Sequence, residues 1–154
     1  MPNAFAEPPV PVVLDTNIVM DMLHFGDPRT AWLRESIAGE QIQCFSDSSC
    51  LAELERVAAY PQFRLSEEEQ RVLLHTWRGL VTLCEAGDDS AAPALPRCRD
   101  ADDQKFLELA ARCRAKVLIT RDKELLRLAR PRRMPAPFAI GTAEEAGRLA
   151  GCRA

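Results

Sequence analysis

Apolar residues fall along the chain in blocks of two kinds. Compact runs recur at Val10-Pro11-Val12-Val13-Leu14, Ile42-Gln43-Cys44-Phe45, Leu80-Val81-Thr82-Leu83, Lys116-Val117-Leu118-Ile119-Thr120 and Phe138-Ala139-Ile140. They have the length and character of strands in a buried parallel sheet. Between them the apolar positions recur at helical spacing. Ile18, Val19, Met22 and Leu23 mark a first helix, broken at Gly26-Asp27-Pro28. Ala31, Trp32, Leu33 and Ile37 mark a second, ending at Gly39. A third carries Leu51, Leu54, Val57 and Ala58, is capped by Ser46 or Asp47, and stops before Pro61. Ser66 and Glu69 fit a capping box that opens a fourth helix running to about Arg78. The glutamates at 67, 68 and 69 suit the positive end of its dipole. From Asp100 to Arg114 the pattern is helical again, with Phe106, Leu107, Ala110 and Cys113 on one side. A short helix over Leu125, Leu126 and Leu128 precedes the break at Pro131, and Gly141-Thr142 leads into a closing helix. The alanine- and proline-rich stretch from Glu85 to Arg99 reads as a loop. No internal repeat is evident. Strands alternating with helices predict an α/β protein whose parallel sheet is covered on both faces.

The ends of two strands are the most informative positions. The first run closes on Asp15-Thr16-Asn17 and the fourth on Arg121-Asp122. In an open α/β sheet the ligand crevice lies outside the carboxyl ends of the strands, where the strand order reverses. Carboxylates brought together there repel unless a cation lies between them, so the pattern suggests a divalent-metal site. Two further acids sit at suggestive places. Asp103 is in register with Phe106, Leu107 and Ala110, and Glu53 shares a helix side with Cys50, Leu54 and Val57. Each has an ordinary explanation as well. Acids in the first helical turn favour the macrodipole, which accounts for Asp100, Asp102 and Asp103 equally well. Periodicity does not separate Glu53 from Glu55, and an Asp after a strand is often a turn or cap residue.

Composition narrows the function classes. At 154 residues and 47% hydrophobic content, the chain suits one domain with a sizeable core. A formal charge of −3 argues against bulk electrostatic coating of nucleic acid, without excluding a local basic patch. Residues 1–9 read as a proline-rich tail with neither the basic nor the long apolar region of a signal peptide. No run reaches membrane-spanning length, so a cytoplasmic location is expected. Cys44, Cys50, Cys84, Cys98, Cys113 and Cys152 form no C-x-x-C pair, which disfavours zinc and favours scattered reduced thiols.

Four segments resemble the motifs of PIN-domain ribonucleases. Val13-Leu14-Asp15-Thr16-Asn17 looks like the opening motif. Leu51-Ala52-Glu53-Leu54-Glu55-Arg56-Val57 resembles the second, with its acid at Glu53. The run from Arg99 through Asp100, Asp102, Asp103 and Gln104 to Ala110 resembles the third, with its key acid at Asp103. Leu118-Ile119-Thr120-Arg121-Asp122 is similar to the fourth. All four occur in order between Val10 and about Leu128. The nearest subgroup is described as toxin components of bacterial toxin–antitoxin pairs, whose third motif often carries proline where this chain has Ala101.

The resemblance implies a single PIN domain over residues 10–150, a Rossmann-like three-layer α/β/α sandwich with a central parallel sheet. It implies Mg²⁺- or Mn²⁺-dependent cleavage of single-stranded RNA by an endoribonuclease, the toxin of a pair with a cognate antitoxin. Hard divalent cations prefer carboxylate oxygens, which assigns Asp15, Asp103 and Asp122 as catalytic metal ligands. Glu53 is a further ligand or orients the attacking water. Asn17 and Thr120 would fix carboxylate orientation, and Asp100 either joins them or simply caps its helix. Arg121, Lys123, Arg127 and Arg130, with Arg132 and Arg133, form a basic cluster suited to RNA phosphates. The alternatives are a stand-alone RNA-processing nuclease, or a non-catalytic PIN-like module that binds RNA or protein. By analogy with similar proteins a homodimer is expected, and no membrane partner.

Overall fold

The computed structural model of the chain describes residues 7–86, 94–130 and 135–151. Five strands form one parallel sheet: β1 (Val10–Leu14), β2 (Ile42–Ser46), β3 (Val81–Leu83), β4 (Val117–Ile119) and β5 (Ala139–Gly141). Their order is β3-β2-β1-β4-β5. Val12 pairs with Cys44 on one side and Val117 on the other, and Leu14 pairs with Ile119. The chain steps outward from β1 to β3, returns to lay β4 beside β1, and continues to β5. The direction of travel therefore reverses between β1 and β4.

That reversal determines which face each helix covers, because crossovers between parallel strands keep one hand. One face carries α1 (Thr16–Leu23), α2 (Ala31–Ala38), α3 (Ser48–Ala58), α4 (Glu67–Leu80) and the closing α7 (Ala143–Ala150). They bury Ile18, Met20, Leu33, Leu54 and Trp77 against Val12, Leu14 and Ile119. The opposite face carries α5 (Gln104–Arg112) and the short α6 (Lys123–Leu126). These bury Phe106, Leu107 and Leu125 against Val13 and Leu118. The alternation within β1, with Val12 and Leu14 on one side and Val13 on the other, follows from the pleat. The expected α/β sandwich with a central parallel sheet is what the chain adopts.

Several boundaries differ from the sequence pattern. Leu80 belongs to α4 and not to the third strand. It lies half-buried against the same core cluster as Trp77, so helical packing claims it before β3 begins. The expected helix from Asp100 to Arg114 starts instead as a tight 3-10 turn, Ala101–Asp103, and the α-helix ends at Arg112. Asp122 lies beyond β4, which ends at Ile119. Parts of three predicted segments lie outside the described residues: the N-terminal tail, the loop after Glu85, and the basic turn holding Arg132 and Arg133. Cys152 also lies outside them.

Polar contacts at helix ends secure the frame. The capping box opening α4 is present, with Ser66 Oγ accepting from Glu69 N at 3.1 Å and Glu69 accepting from Ser66 N at 3.0 Å. Ser66→Ala should cost about 1 kcal/mol, a fall of about 2–4 °C in Tm for a chain of this size. Calorimetry showing an unchanged midpoint would remove this cap from the account of stability. Asp47 caps α3 and also receives Arg112 Nη2 at 2.7 Å. The same guanidinium donates to the Cys84 carbonyl at 2.8 and 3.0 Å, tying α5 to the ends of β2 and β3. The described cysteines are free thiols, and burial pushes the Cys44 thiol up to about 12 and that of Cys113 up to about 11.

Candidate active site

The carboxyl ends of β1 and β4 lie side by side at the point where strand order reverses, and the backbone joins them there. Asp15 N donates to the Ile119 carbonyl at 3.1 Å, and Thr120 N donates to Gly141 at 2.9 Å. Asp15 is 3% exposed. Its two oxygens are used separately. Oδ1 accepts from Ile18 N at 3.0 Å and so caps α1, while Oδ2 accepts the hydroxyl of the buried Thr120. One side chain thus caps α1 and ties the ends of β1 and β4 together. Burial raises the Asp15 carboxyl to about 6, against the lowering effect of the Thr120 and Ile18 hydrogen bonds.

Thr120 is the hinge of this corner. Its hydroxyl donates to Asp15 and also accepts from Asp122 N at 3.0 Å. Asp122 in turn caps α6 by accepting from Glu124 N at 2.8 Å. Thr120→Val keeps the shape and removes both contacts, and a buried carboxylate that loses its donor costs about 1–3 kcal/mol. Urea denaturation at pH 8 should show that loss. A midpoint equal to that of the unaltered chain would deny Thr120 this part.

Asp103 stands at the junction of the 3-10 turn and α5, half-buried, and its Oδ2 is enclosed with no hydrogen-bond partner among the described residues. Desolvation, then the charges of Asp122 and Asp100, a side-chain hydrogen bond with Asp122 and the charge of Asp15, push its carboxyl up to about 7. The three aspartates expected at the site thus act on one another electrostatically. Asp100 caps the turn, accepting from Asp102 N at 3.0 Å, and its charge still reaches Asp103.

Glu53 has a different setting. Its side chain is 12% exposed, with Oε1 at 2.7 Å from Lys105 Nζ and Oε2 accepting the Thr16 hydroxyl. Glu55 on the same helix is exposed, so the structure separates two glutamates that periodicity did not. Asn17 is exposed, and among the described residues no hydrogen bond joins its side chain to these acids. Thr16 and Lys105 occupy motif segments, but nothing in their spacing marked them. Their partner lies 37 and 52 residues away.

The basic cluster is divided. Arg121 binds Asp21 of α1 through Nε at 2.9 Å and Nη2 at 3.3 Å, giving a buried aspartate its counter-ion. Arg127 approaches Glu124 at 3.8 Å. Lys123 and Arg130 are exposed.

Among the described residues no three acids, histidines or cysteines converge closely enough to hold one cation. The donor chemistry nonetheless suits a hard divalent ion. An enclosed carboxylate oxygen that has no hydrogen-bond partner among the described residues, set among carboxylates that repel it, is stabilised by positive charge. Among the described residues no helix is long and apolar enough to cross a membrane.

No curated protein matches the chain. A family model described as PIN domain matches residues 11–124, a span that contains Asp15, Glu53, Asp103 and Asp122 together with the strands and helices that carry them. The chain belongs to the PIN-domain family.

Proposed function

We propose that the protein is a metal-dependent endoribonuclease cleaving single-stranded RNA. The observation that carries this reading is the mutual charge of Asp15, Asp103 and Asp122 at the sheet's reversal point, with Asp103 raised to about 7. Membership of a family of nucleases supports it. Asp15, Asp103 and Asp122 would hold Mg²⁺ or Mn²⁺. When bound, such an ion supplies charge neutralisation at the scissile phosphate and a water of lowered pKa. The chain's own groups prepare the site. Thr120 and Ile18 N fix the rotamer of Asp15, the cap on α6 fixes Asp122, and Phe106 anchors the helix behind Asp103. Exposed Lys123 and Arg130 supply positive charge on the segment after β4, suited to backbone phosphates.

The role of toxin in a toxin–antitoxin pair, with a cognate antitoxin as partner, is supported by the likeness of the four motifs to that subgroup. Function inside the cytoplasm belongs to the same reading. The test is cleavage of a mixed single-stranded RNA pool by purified protein in Mn²⁺, Mg²⁺ or EDTA, with Asp15→Asn alongside. Metal-dependent cutting that disappears in the variant is expected. Equal cutting by the variant would place the activity elsewhere, and binding of RNA without cutting in any metal would favour a non-catalytic module.

A further inference from the structure

Glu53 is held by a cation of the chain itself. Lys105 Nζ stands 2.7 Å from Oε1, and both side chains are largely withdrawn from solvent, at 19% and 12% exposure. The other oxygen, Oε2, accepts from Thr16, and Arg56 Nη2 lies 3.9 Å from Oε1 on the solvent side. Lys105 is itself confined, with its ammonium 5.6 Å from the centre of the Phe106 ring. The aspartates are placed otherwise. The charges bearing most strongly on Asp103 are those of other carboxylates. A pair so enclosed is screened less than a surface pair, and losing one member leaves the other charged and unpaired.

We infer that Lys105 is a positioning residue that neutralises Glu53 as a built-in cation, so that Glu53 does not ligate the divalent ion and the aspartates alone hold it. This rests on the metal-dependent reading above. A divalent ion placed on Glu53 would lie against the ammonium, and like charges in a poorly solvated site repel. The pair also joins α3 to α5, fixing the helix that follows Asp103 relative to the one carrying Glu53.

The test is titration of Mn²⁺ into the metal-stripped full chain by calorimetry, with folding checked by circular dichroism. Asp103→Asn should weaken binding by more than about tenfold, whereas Glu53→Gln should weaken it far less. Lys105→Met frees Glu53 and should strengthen Mn²⁺ binding or add a second ion, and Lys105→Arg should restore the original behaviour. Should Lys105→Met fail to fold, the double variant Glu53→Gln with Lys105→Met removes both charges and should bind Mn²⁺ as the unaltered chain does. A loss in Glu53→Gln equal to that in Asp103→Asn overturns the inference, as does unchanged binding in a folded Lys105→Met. Absence of Mn²⁺ binding by the unaltered, folded chain overturns the metal-dependent reading itself, which is a different result from binding that depends on Glu53.

Discussion

Asp103→Asn is expected to lower metal-dependent RNA cleavage by about 10³-fold or more and, in EDTA at pH 8, to raise the thermal midpoint. The two effects have one cause. Ionised Asp103 is held half-buried, with an oxygen that has no hydrogen-bond partner among the described residues, and feels the charges of Asp122, Asp100 and Asp15. A bound cation is stabilised by that charge, and losing several kcal/mol of transition-state stabilisation costs a factor of ten for each 1.36 kcal/mol or so. Without the cation the same charge is repulsive, so a neutral amide of equal size relieves the fold. Functional sites commonly trade stability in this way. Single-turnover cleavage and differential scanning fluorimetry check the two halves. A variant that still cuts at a tenth of the original rate, or that melts below the unaltered chain at pH 8, would remove Asp103 from the centre of the site.

Metal-free protein should lose stability as pH rises from about 4 to about 7. Asp15 is raised from 3.8 to about 6, and Asp103 from 3.8 to about 7. Each therefore binds its proton more tightly folded than unfolded. Within that window the folded state carries the extra protons, so unfolding becomes more favourable as pH increases. Asp15 alone corresponds to about 3 kcal/mol at 1.36 kcal/mol per unit. Asp103 acts in the same direction. The lowered carboxyls of Asp27, Glu69 and Glu145 work oppositely, but their window lies at more acidic pH. Urea melts in EDTA at pH 5 and pH 8 provide the measurement, and Asp15→Asn should flatten the difference. Added Mn²⁺ should restore stability at pH 8 more than at pH 5. Greater stability at pH 8 than at pH 5 in EDTA would contradict the charge arrangement described for this corner.

What the sequence disclosed, it disclosed through local chemistry. The run Val10–Leu14 is apolar on both faces because both faces are covered, so it was readable as a strand of a buried parallel sheet. Asp15 and Asp122 were singled out because strand ends at a reversal point are where ligands bind. The capping box at Ser66 was readable because its two bonds lie within four residues. The contacts that give Glu53 its character were not. Lys105 follows Asp103 by two positions on a helix start and looks like a solvated charge until α3 is packed beside it. Arg121 looked like a phosphate ligand because it begins a basic run, yet Asp21, exactly one hundred residues earlier, takes two of its donors. The third strand was blurred because β3 is three residues long and Leu80 serves the helix before it.

The bond from Thr120 to Asp15 spans 105 residues, and it closes the gap between the first strand and the fourth. Everything local can form earlier: the capped α4, the β1–β2 pairing, the 3-10 turn at Asp100. The carboxylates meet only after the longest loop in the sheet has closed, a step whose entropy must be met before any of its contacts form. A chain still emerging from the ribosome holds Asp15 and Glu53 long before it holds Asp122. The corner at the sheet's reversal point is therefore incomplete until β4 has been made and paired with β1.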